Sequence, residues 1–310
     1  MKTLLQMNTI FLSMIMEAVP FVLAGVLISG VIQTFVTERW LARIMPRNRW
    51  ASSLFGCGVG ALFPSCECGI IPVAGRLLNK GMPLNAGIAF ILTAPIINPI
   101  VLFATYVAFG NNWTIAAVRA GMAIVVAFLV SIAISFLFPQ LPMRGRQESD
   151  QTPAAQTAAA AETAAPMREP ARKSPMSQLN EVFLHSIEEF FSVGKYLVAG
   201  ALIAACIQTY VPTAYLLHLG NNPVAASLLM IGLAFVMSLC SAADAFIAAS
   251  FRSTFGIGAL SAFLVFGPMV DIKNTFMMLS IFKGKFVATL IALVVVFTLL
   301  GSLIAGRLFG

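Results

Sequence analysis

The chain has 310 residues, of which 59% are hydrophobic and only 10% are charged, and its mean hydropathy is +0.91. A soluble domain carries about 25% charged residues, so this composition argues against a soluble enzyme or binding module and predicts a multi-pass membrane protein. The net charge of +7 requires no nucleic-acid partner, because basic loops orient membrane proteins.

Residues 1–139 form the first of two predicted transmembrane repeats. The first span covers residues 7–36 and contains Glu17. The loop that follows, 38–50, carries four arginines and two tryptophans, which is typical of a cytoplasmic loop with interfacial aromatic residues. The rest of the repeat consists of three apolar runs, at 51–79, 83–110 and 114–138.

The apolar run at 51–79 is interrupted by the segment Pro64-Ser65-Cys66-Glu67-Cys68-Gly69. Proline cannot donate a helical hydrogen bond and glycine allows a sharp turn, so the segment predicts unwound backbone between half-helices at 51–63 and 70–79. Pro72 would then lie in the first turn of the second half-helix, where a missing N–H is tolerated. Unwound backbone in a bilayer must be buried in protein or line a cavity, and an ionisable residue there marks a candidate site.

Cys66 and Cys68 are the candidate ligands of a soft ion at this interruption. Residues at i and i+2 do not face each other on a helix, but on unwound backbone the two thiols can converge. A helix N-terminus near Cys68 favours the thiolate, which is the form that binds soft metals and metalloids. The alternative is that both cysteines are inert, small apolar residues, which is their usual buried role.

The span at 83–110 is also interrupted, at residues 93–99. Two prolines, including Pro95, and Asn98 would leave backbone carbonyls and a side-chain amide free to line a site. The alternative is a proline kink whose free backbone groups are satisfied by neighbouring helices.

Residues 140–178 are rich in Ala, Pro, Thr, Glu and Arg and have no apolar period, so they predict a flexible linker. The second predicted repeat, residues 179–310, has apolar runs at 179–211, 223–251, 256–282 and 284–308. Charged residues inside the spans are candidates for coupling transport to ion or proton movement. These are Glu17, Lys195, Asp244 and Lys273.

The two halves of the chain are repeats of each other. Residues 24–36 are identical to residues 199–211 at eight of thirteen positions, at a constant offset of 175. At an offset of 173, residues at the interruptions coincide: Ser65 with Ser238, Pro95 with Pro268, and Asn98 with Asp271. Broken helices at matching places indicate a transporter with its site at the repeat interface, so we expect Asn98 and Asp271 close together near the membrane midplane.

Two all-α topologies fit these runs. If residues 51–79 form a re-entrant hairpin, the loop 38–50 and the basic linker share the cytoplasmic side, and each repeat has three spans plus a hairpin in inverted orientation. If residues 51–79 cross the membrane, the chain has eight plain transmembrane helices and the two basic segments lie on opposite sides. The positive-inside rule favours the inverted repeats.

These motifs resemble those of the ArsP/YraQ-type bacterial permease family, which includes exporters of trivalent methylated arsenicals. The resemblance covers the chain except the linker and rests on Cys-Glu-Cys-Gly at 66–69, Ala-Pro-Ile-Ile-Asn-Pro at 94–99, Ser-Leu-Cys-Ser at 238–241 and Gly-Pro-Met-Val-Asp at 267–271. It implies that Cys66 and Cys68 are substrate ligands. Trivalent arsenic is thiophilic, and two thiols match the two exchangeable positions of a monomethyl species.

Together these features predict a multi-pass permease of the bacterial cytoplasmic (inner) membrane, not an enzyme, that exports a small thiophilic compound. Cys66 and Cys68 would capture the compound as transient metalloid ligands, and Glu67 would accept the released proton. The remaining site residues would be Ser65, Pro95, Asn98, Pro268 and Asp271.

The sequence predicts no cofactor and no nucleic-acid partner, and it leaves a homo-oligomer open. A permease for an unrelated solute, with cysteines that only pack, is the first alternative function. A membrane thiol oxidoreductase is a second, but Cys-x-Cys lacks the usual Cys-x-x-Cys spacing.

Overall fold

The computed structural model describes residues 2–35, 41, 43–46, 48–63, 66–139, 142–143, 175–210 and 222–309. Helices dominate this part of the chain, and its one β contact is an isolated bridge between Met143 and Phe282. Most of the predicted linker at 140–178 lies outside the described residues. The helix after the linker begins at Pro175, earlier than the predicted start at 179, because proline is tolerated at the first position of a helix.

The helices of the two halves correspond in order and in relative length. Those of the first half are α1 (Lys2–Phe35), α2 (Arg49–Leu62), α3 (Glu67–Asn79), α4 (Leu84–Thr93), α5 (Pro99–Ala108) and α6 (Trp113–Leu137). Those of the second half are α7 (Pro175–Tyr210), α8 (Pro223–Met237), α9 (Ser241–Ser250), α10 (Ile257–Met269), α11 (Ile272–Ile281) and α12 (Gly284–Phe309). Among the helices whose bounds are given above, a long helix opens the series in each half, four shorter helices follow, and a long helix closes it.

The core is built around α4 and α10, which occupy the same place in the two series. Every residue of α4 is buried, and α10 is buried from Gly258 to Met269. Helices that are apolar all round belong in the interior of a protein. The long helices α1, α6, α7 and α12 instead expose many large apolar side chains, which is the pattern expected of surfaces that face lipid.

Within the part of the chain that the structure describes, five helical segments are long and apolar enough to cross a membrane: Leu4–Ile32, Trp113–Leu137, Ser186–Thr209, Ile257–Ile281 and Gly284–Phe309. The fourth of these comprises α10 and α11 with the interruption between them. The corresponding pair in the first half, α4 and α5, consists of two shorter apolar helices. The chain is therefore an all-α protein whose long helices suit a bilayer.

The interruption between α2 and α3 is shorter than the sequence predicted. Cys66 has extended backbone and is the N-cap of α3, which begins at Glu67 and not near residue 70. A carboxylate in the first turn is stabilised by the partial positive charge of a helix N-terminus, which explains the earlier start. Glu67 and Cys68 are thus helical. The first-turn explanation for Pro72 is wrong, because Pro72 lies inside α3, where its missing N–H leaves the Cys68 carbonyl without its helical donor.

Asn98 and Asp271 start equivalent helices in the same way. The Asn98 side chain accepts a hydrogen bond of 2.9 Å from the backbone N–H of Ile100 at the start of α5. The Asp271 side chain accepts from the backbone N–H of Asn274 at the start of α11. The prolines before them differ, because Pro95 lies in the turn between α4 and α5 whereas Pro268 is inside α10.

A glycine on the first helix of each half brings it close to the start of a broken helix. A Cβ added at Gly25 on α1 would lie 2.4 Å from the carbonyl oxygen of Gly69 on α3. A Cβ added at Gly200 on α7 would lie 3.1 Å from Cα of Lys273 on α11. Gly69 therefore lies within the helix at a close crossing, whereas the sequence predicted a sharp turn there. The two crossings fix the N-terminal ends of α3 and α11, where the candidate site lies.

Candidate functional site

Cys66 and Cys68 lie together at the N-terminal end of α3. Cys66 is half-buried and Cys68 is buried, and their thiols are in hydrogen-bond contact. All five cysteines of the chain are described, and none of them forms a disulfide. Two neighbouring thiols at the positive end of a helix form a local environment that favours thiolates and soft ligands.

A buried charge cluster adjoins these thiols. Nζ of Lys273 on α11 lies 3.6 Å from Oε1 of Glu67 and 4.0 Å from Oδ2 of Asp271. The three residues are 3%, 3% and 1% exposed, respectively. Oε2 of Glu67 and Oδ2 of Asp271 have no hydrogen-bond partner among the described groups. One ammonium group thus serves two carboxylates, and Glu67 keeps a second oxygen, Oε2, that could bind a proton or a substrate group.

The cluster is held from the second half by the interruption between α8 and α9. Ser238 ends α8 in the left-handed conformation, with φ of 47°, and its hydroxyl accepts a 3.4 Å hydrogen bond from the backbone N–H of Lys273. The Gln208 side chain on α7 donates hydrogen bonds to the carbonyls of Val236 and Met237 at the end of α8. Gln208 lies in the segment 199–211, which matches residues 24–36 and shares a Gln-Thr dipeptide with it. One role of this glutamine is therefore to satisfy backbone carbonyls at the end of α8.

The structure places Cys240, which was not among the predicted site residues, beside the same cluster. It is the half-buried N-cap of α9, as Cys66 is of α3, and the two positions differ by 174. The Cys240 thiol is in electrostatic range of the carboxyl groups of Glu17 on α1 and of Glu67. The recurrence of a cysteine near matching helix breaks was visible in the sequence, but the interaction with Glu17 was not.

A second buried polar contact joins the two halves, and here the basic residue belongs to the first half and the acidic residue to the second. Arg119 on α6 is fully buried and donates to Oγ1 of Thr105 at 2.6 Å and to the carbonyl of Ser241 at 2.9 Å. It also interacts electrostatically with Asp244 in the first turn of α9, which is 2% exposed. The first half therefore supplies an acid, Glu67, to an ion pair with Lys273 of the second half, while Asp244 of the second half lies in electrostatic range of Arg119 of the first.

The other predicted site residues are distributed around these clusters. Pro95, Asn98 and Pro268 are buried at or near the interruptions of the core helices. Ser65 lies outside the described residues. Lys195 is exposed on α7, where its Nζ lies 5.4 Å from the ring centroid of Tyr196, and the structure does not bring it to the charge cluster. Arg119 was not among the site residues that the sequence predicted.

The described residues contain no group of three or more His, Cys, Asp or Glu side chains arranged to hold a metal ion. Cys66 and Cys68 instead offer two neighbouring thiols, which suits transient binding of a species with two exchangeable positions.

A sequence profile for a family described as predicted permeases, of ArsP type, matches residues 3–307. The chain belongs to this permease family. It is accordingly a multi-pass protein of the cytoplasmic membrane, and a transporter rather than an enzyme. The family profile also covers the helical segments that hold both charge clusters.

Two curated relatives match nearly the whole of this permease, and a third matches part of it. The protein YcgR of Bacillus subtilis (strain 168) is 52% identical over 303 residues, covering 98% of each chain. A Streptococcus mutans protein, provisionally described as a subunit of a two-component membrane permease complex, is 42% identical over 288 residues, covering 92% of this chain and 90% of its own. YraQ of Escherichia coli (strain K12) is 26% identical over 110 residues, 36% of this chain and 31% of its own. No solved structure matches the chain.

Proposed function

We propose that this permease exports a small thiophilic compound, such as a trivalent methylated arsenical, which Cys66 and Cys68 capture at the start of α3. The observation that carries the proposal is the contact between these two thiols, next to a buried cluster formed by both halves of the chain. Thiolates select soft centres over the hard cations that abound in a cell.

Capture is a ligand exchange without oxidation or reduction. Each cysteine forms a sulfur–arsenic bond, a hydroxyl group leaves the arsenic as water, and the thiol proton goes to that leaving group. Glu67 lies between the two cysteines in the sequence and keeps one carboxylate oxygen without a partner, so it is placed to relay this proton. Two sulfur ligands leave the compound exchangeable, and a transported substrate must be able to leave.

We further propose that the two halves are inverted repeats. Their helices correspond one by one, and equivalent polar residues cap α5 and α11. In this arrangement residues 1–139 and 179–310 are the two transmembrane repeats, α2–α3 and α8–α9 are re-entrant hairpins, and the linker at 140–178 is cytoplasmic. The substrate thiols then lie where a hairpin of one repeat meets the interrupted helix of the other.

Lys273 would couple transport to proton movement in this scheme. It lies between Glu67 and Asp271, so a proton on either carboxylate changes which of the two it pairs with. A shift of Lys273 between them would move the start of α11 relative to α3 and thereby alter access to the thiols. In the same way, a change in the protonation of Asp244 would alter its interaction with Arg119 and shift the start of α9.

Transport into inside-out membrane vesicles tests the proposal. Vesicles containing the parent protein should accumulate at least one of a set of trivalent arsenicals, and Cys66→Ser and Cys68→Ser should abolish this uptake at unchanged protein level. Serine preserves size but offers a hard oxygen with a far higher pKa than a thiol. Cys57→Ala is the matched control, because Cys57 is buried on α2 and contacts Thr93. Full activity of the double serine variant would exclude thiol capture and favour a permease for an unrelated solute.

A further inference from the structure

The N-terminal ends of α3 and α9 carry the same arrangement of groups. Each helix has a half-buried cysteine as its N-cap, Cys66 or Cys240, and neither cysteine side chain makes a capping hydrogen bond. Each has a buried acid in its first turn, Glu67 or Asp244. The proposed function uses this arrangement at α3 alone.

We propose that Cys240 is a third substrate-binding thiol, which takes over the thiophilic compound from Cys66 and Cys68 with Glu17 as its proton acceptor. This inference rests on the proposed function and identifies the next step of the same transport path. It concerns a residue that belongs to the second half of the chain, whereas the capturing pair belongs to the first.

Glu17 provides the first independent support. It lies in the middle of α1 and is exposed, although an ionisable side chain in a transmembrane helix is expected to face the bundle interior or a water-filled cavity. Its carboxyl group lies in electrostatic range of the Cys240 thiol. The proposal places a hydrated cleft beside this exposed carboxylate, which can then remove the thiol proton.

Glu67 connects the two thiol positions. It is adjacent to Cys66 and Cys68 in the sequence, it interacts electrostatically with Cys240, and its Oε2 is buried without a hydrogen-bond partner. A buried carboxylate oxygen that lacks a partner is costly unless another group uses it. Lys273 joins the two positions, because its Nζ lies 3.6 Å from Oε1 of Glu67 and its backbone N–H donates to Ser238, two residues before Cys240.

The transfer conserves atoms, charge and oxidation state. The sulfur of Cys240 forms a bond to arsenic as the bond from Cys66 breaks, and arsenic remains bound to two sulfurs. The proton of Cys240 passes to Glu17, and the Cys66 thiolate regains a proton from the solvent in the cleft. Three thiols are not required at once, in agreement with the absence of a three-ligand group among the described side chains.

Chelation by pairs of cysteines tests the proposal without a transport assay. In a Cys57→Ala/Cys206→Ala background, Cys68→Ser leaves the pair Cys66 and Cys240, and Cys66→Ser leaves Cys68 and Cys240. Two further variants retain Cys240 alone, or Cys66 and Cys68 alone. The probe is phenylarsine oxide, with bound arsenic measured on purified protein after gel filtration, which also shows whether each variant is folded.

At least one pair that includes Cys240 should bind phenylarsine oxide about a hundredfold more tightly than Cys240 alone, because the second sulfur binds intramolecularly. A variant with Cys66 and Cys57 as its remaining cysteines is the matched control and should bind as a single thiol. If Cys66 and Cys68 chelate but neither Cys240 pair does, the third-thiol proposal is wrong and the proposed function stands. If Cys66 and Cys68 do not chelate, the proposed function fails and this inference fails with it.

Glu17→Gln tests the proton acceptor. Arsenical uptake should fall about tenfold while phenylarsine oxide affinity stays within about twofold, because a general acid or base typically contributes more than this to rate and nothing to the capturing pair. Glu188→Gln, at an exposed carboxylate on α7, is the matched control and should leave uptake unchanged. If the Glu17→Gln variant takes up arsenical at the parent rate, Glu17 is not the proton acceptor for Cys240.

Discussion

Nζ of Lys273 lies 3.6 Å from Oε1 of Glu67, and this buried ion pair joins α11 of the second half to α3 of the first. Removing one partner leaves the other charge uncompensated in the core. Glu67→Gln and Lys273→Met should therefore each lower the free energy of unfolding by about 3–5 kcal/mol, whereas the double variant should lose less than the sum.

The thermal midpoint of the purified protein in detergent checks this prediction. Lys195→Met is the control, because Lys195 is exposed on α7 and its loss should change the midpoint little. Additive effects of the two single substitutions would mean that the ion pair contributes no coupling energy.

Arg119→Lys should destabilise the protein by about 1–3 kcal/mol, because lysine cannot reproduce the two guanidinium hydrogen bonds to Thr105 and to the Ser241 carbonyl. Arg252→Lys is the matched substitution at an exposed arginine, whose single bond to the Phe109 carbonyl is 3.4 Å long. Its cost should stay below about 0.5 kcal/mol. Chemical denaturation of both variants measures the difference, and equal costs would show that the Arg119 contacts are dispensable.

Gly25→Ala should reduce the yield of folded protein severely, since the new methyl group would lie 2.4 Å from the Gly69 carbonyl oxygen and would force α1 away from α3. Gly200→Ala should be milder, because its nearest contact is 3.1 Å. Gly58→Ala on α2 meets nothing within 4 Å, so it should be neutral or stabilise the helix by about 0.5–1 kcal/mol. Size-exclusion profiles rank the three variants, and a harmless Gly25→Ala would contradict the close crossing.

Asp271→Asn should impair transport more than folding. Asparagine is as good an N-cap as aspartate, so the start of α11 should survive, but the charge facing Lys273 is lost. Asn112→Asp exchanges the same two residue types at the cap of α6, and it should affect neither property. Vesicle uptake divided by membrane protein level is the measurement. A parallel fall of uptake and protein level in Asp271→Asn would indicate a purely structural role.

The inverted-repeat proposal predicts that the loop at 38–50 and the linker at 140–178 face the cytoplasm together. Single cysteines placed in each segment of a cysteine-free variant should react with a membrane-impermeant maleimide in inside-out vesicles and stay unlabelled in intact cells. Cysteines at Asn111 and Gly310 allow the same reagent to be calibrated at other loops and ends. Opposite labelling of the two basic segments would refute the inverted arrangement and favour eight plain spans.

Local chemistry predicted much of this fold. Long apolar runs gave the helices, and prolines with polar neighbours located the interruptions, because both signals lie within a few residues of the structure that they determine. The helix α3 begins at Glu67 and not at residue 70 as predicted. The stabilisation of the helix N-terminus by the Glu67 carboxylate outweighs the tendency of Gly69 and Pro72 to interrupt a helix. Asn98 and Asp271 proved to be matching helix caps, and their closeness in space stays a prediction.

The partners of the buried charges could not be predicted from the sequence. Glu67 and Lys273 are more than 200 residues apart, and nothing local to either residue identifies the other. Lys195 and Lys273 both lie within apolar runs, so the sequence does not distinguish them, yet Lys195 is exposed and Lys273 is buried. Which face of a helix is exposed depends on how the helices pack against each other.

The reciprocal pairing of acids and bases has a consequence for biogenesis. A nascent chain inserted only as far as α6 carries Glu67 and Arg119 in hydrocarbon before Lys273 and Asp244 have been synthesised. Such a fragment has two costly charges and no means of neutralising them in the native way. Quality-control proteases that recognise unassembled polar groups in the membrane would thus find truncated chains and spare complete ones. Separately encoded halves would need synchronous synthesis to survive.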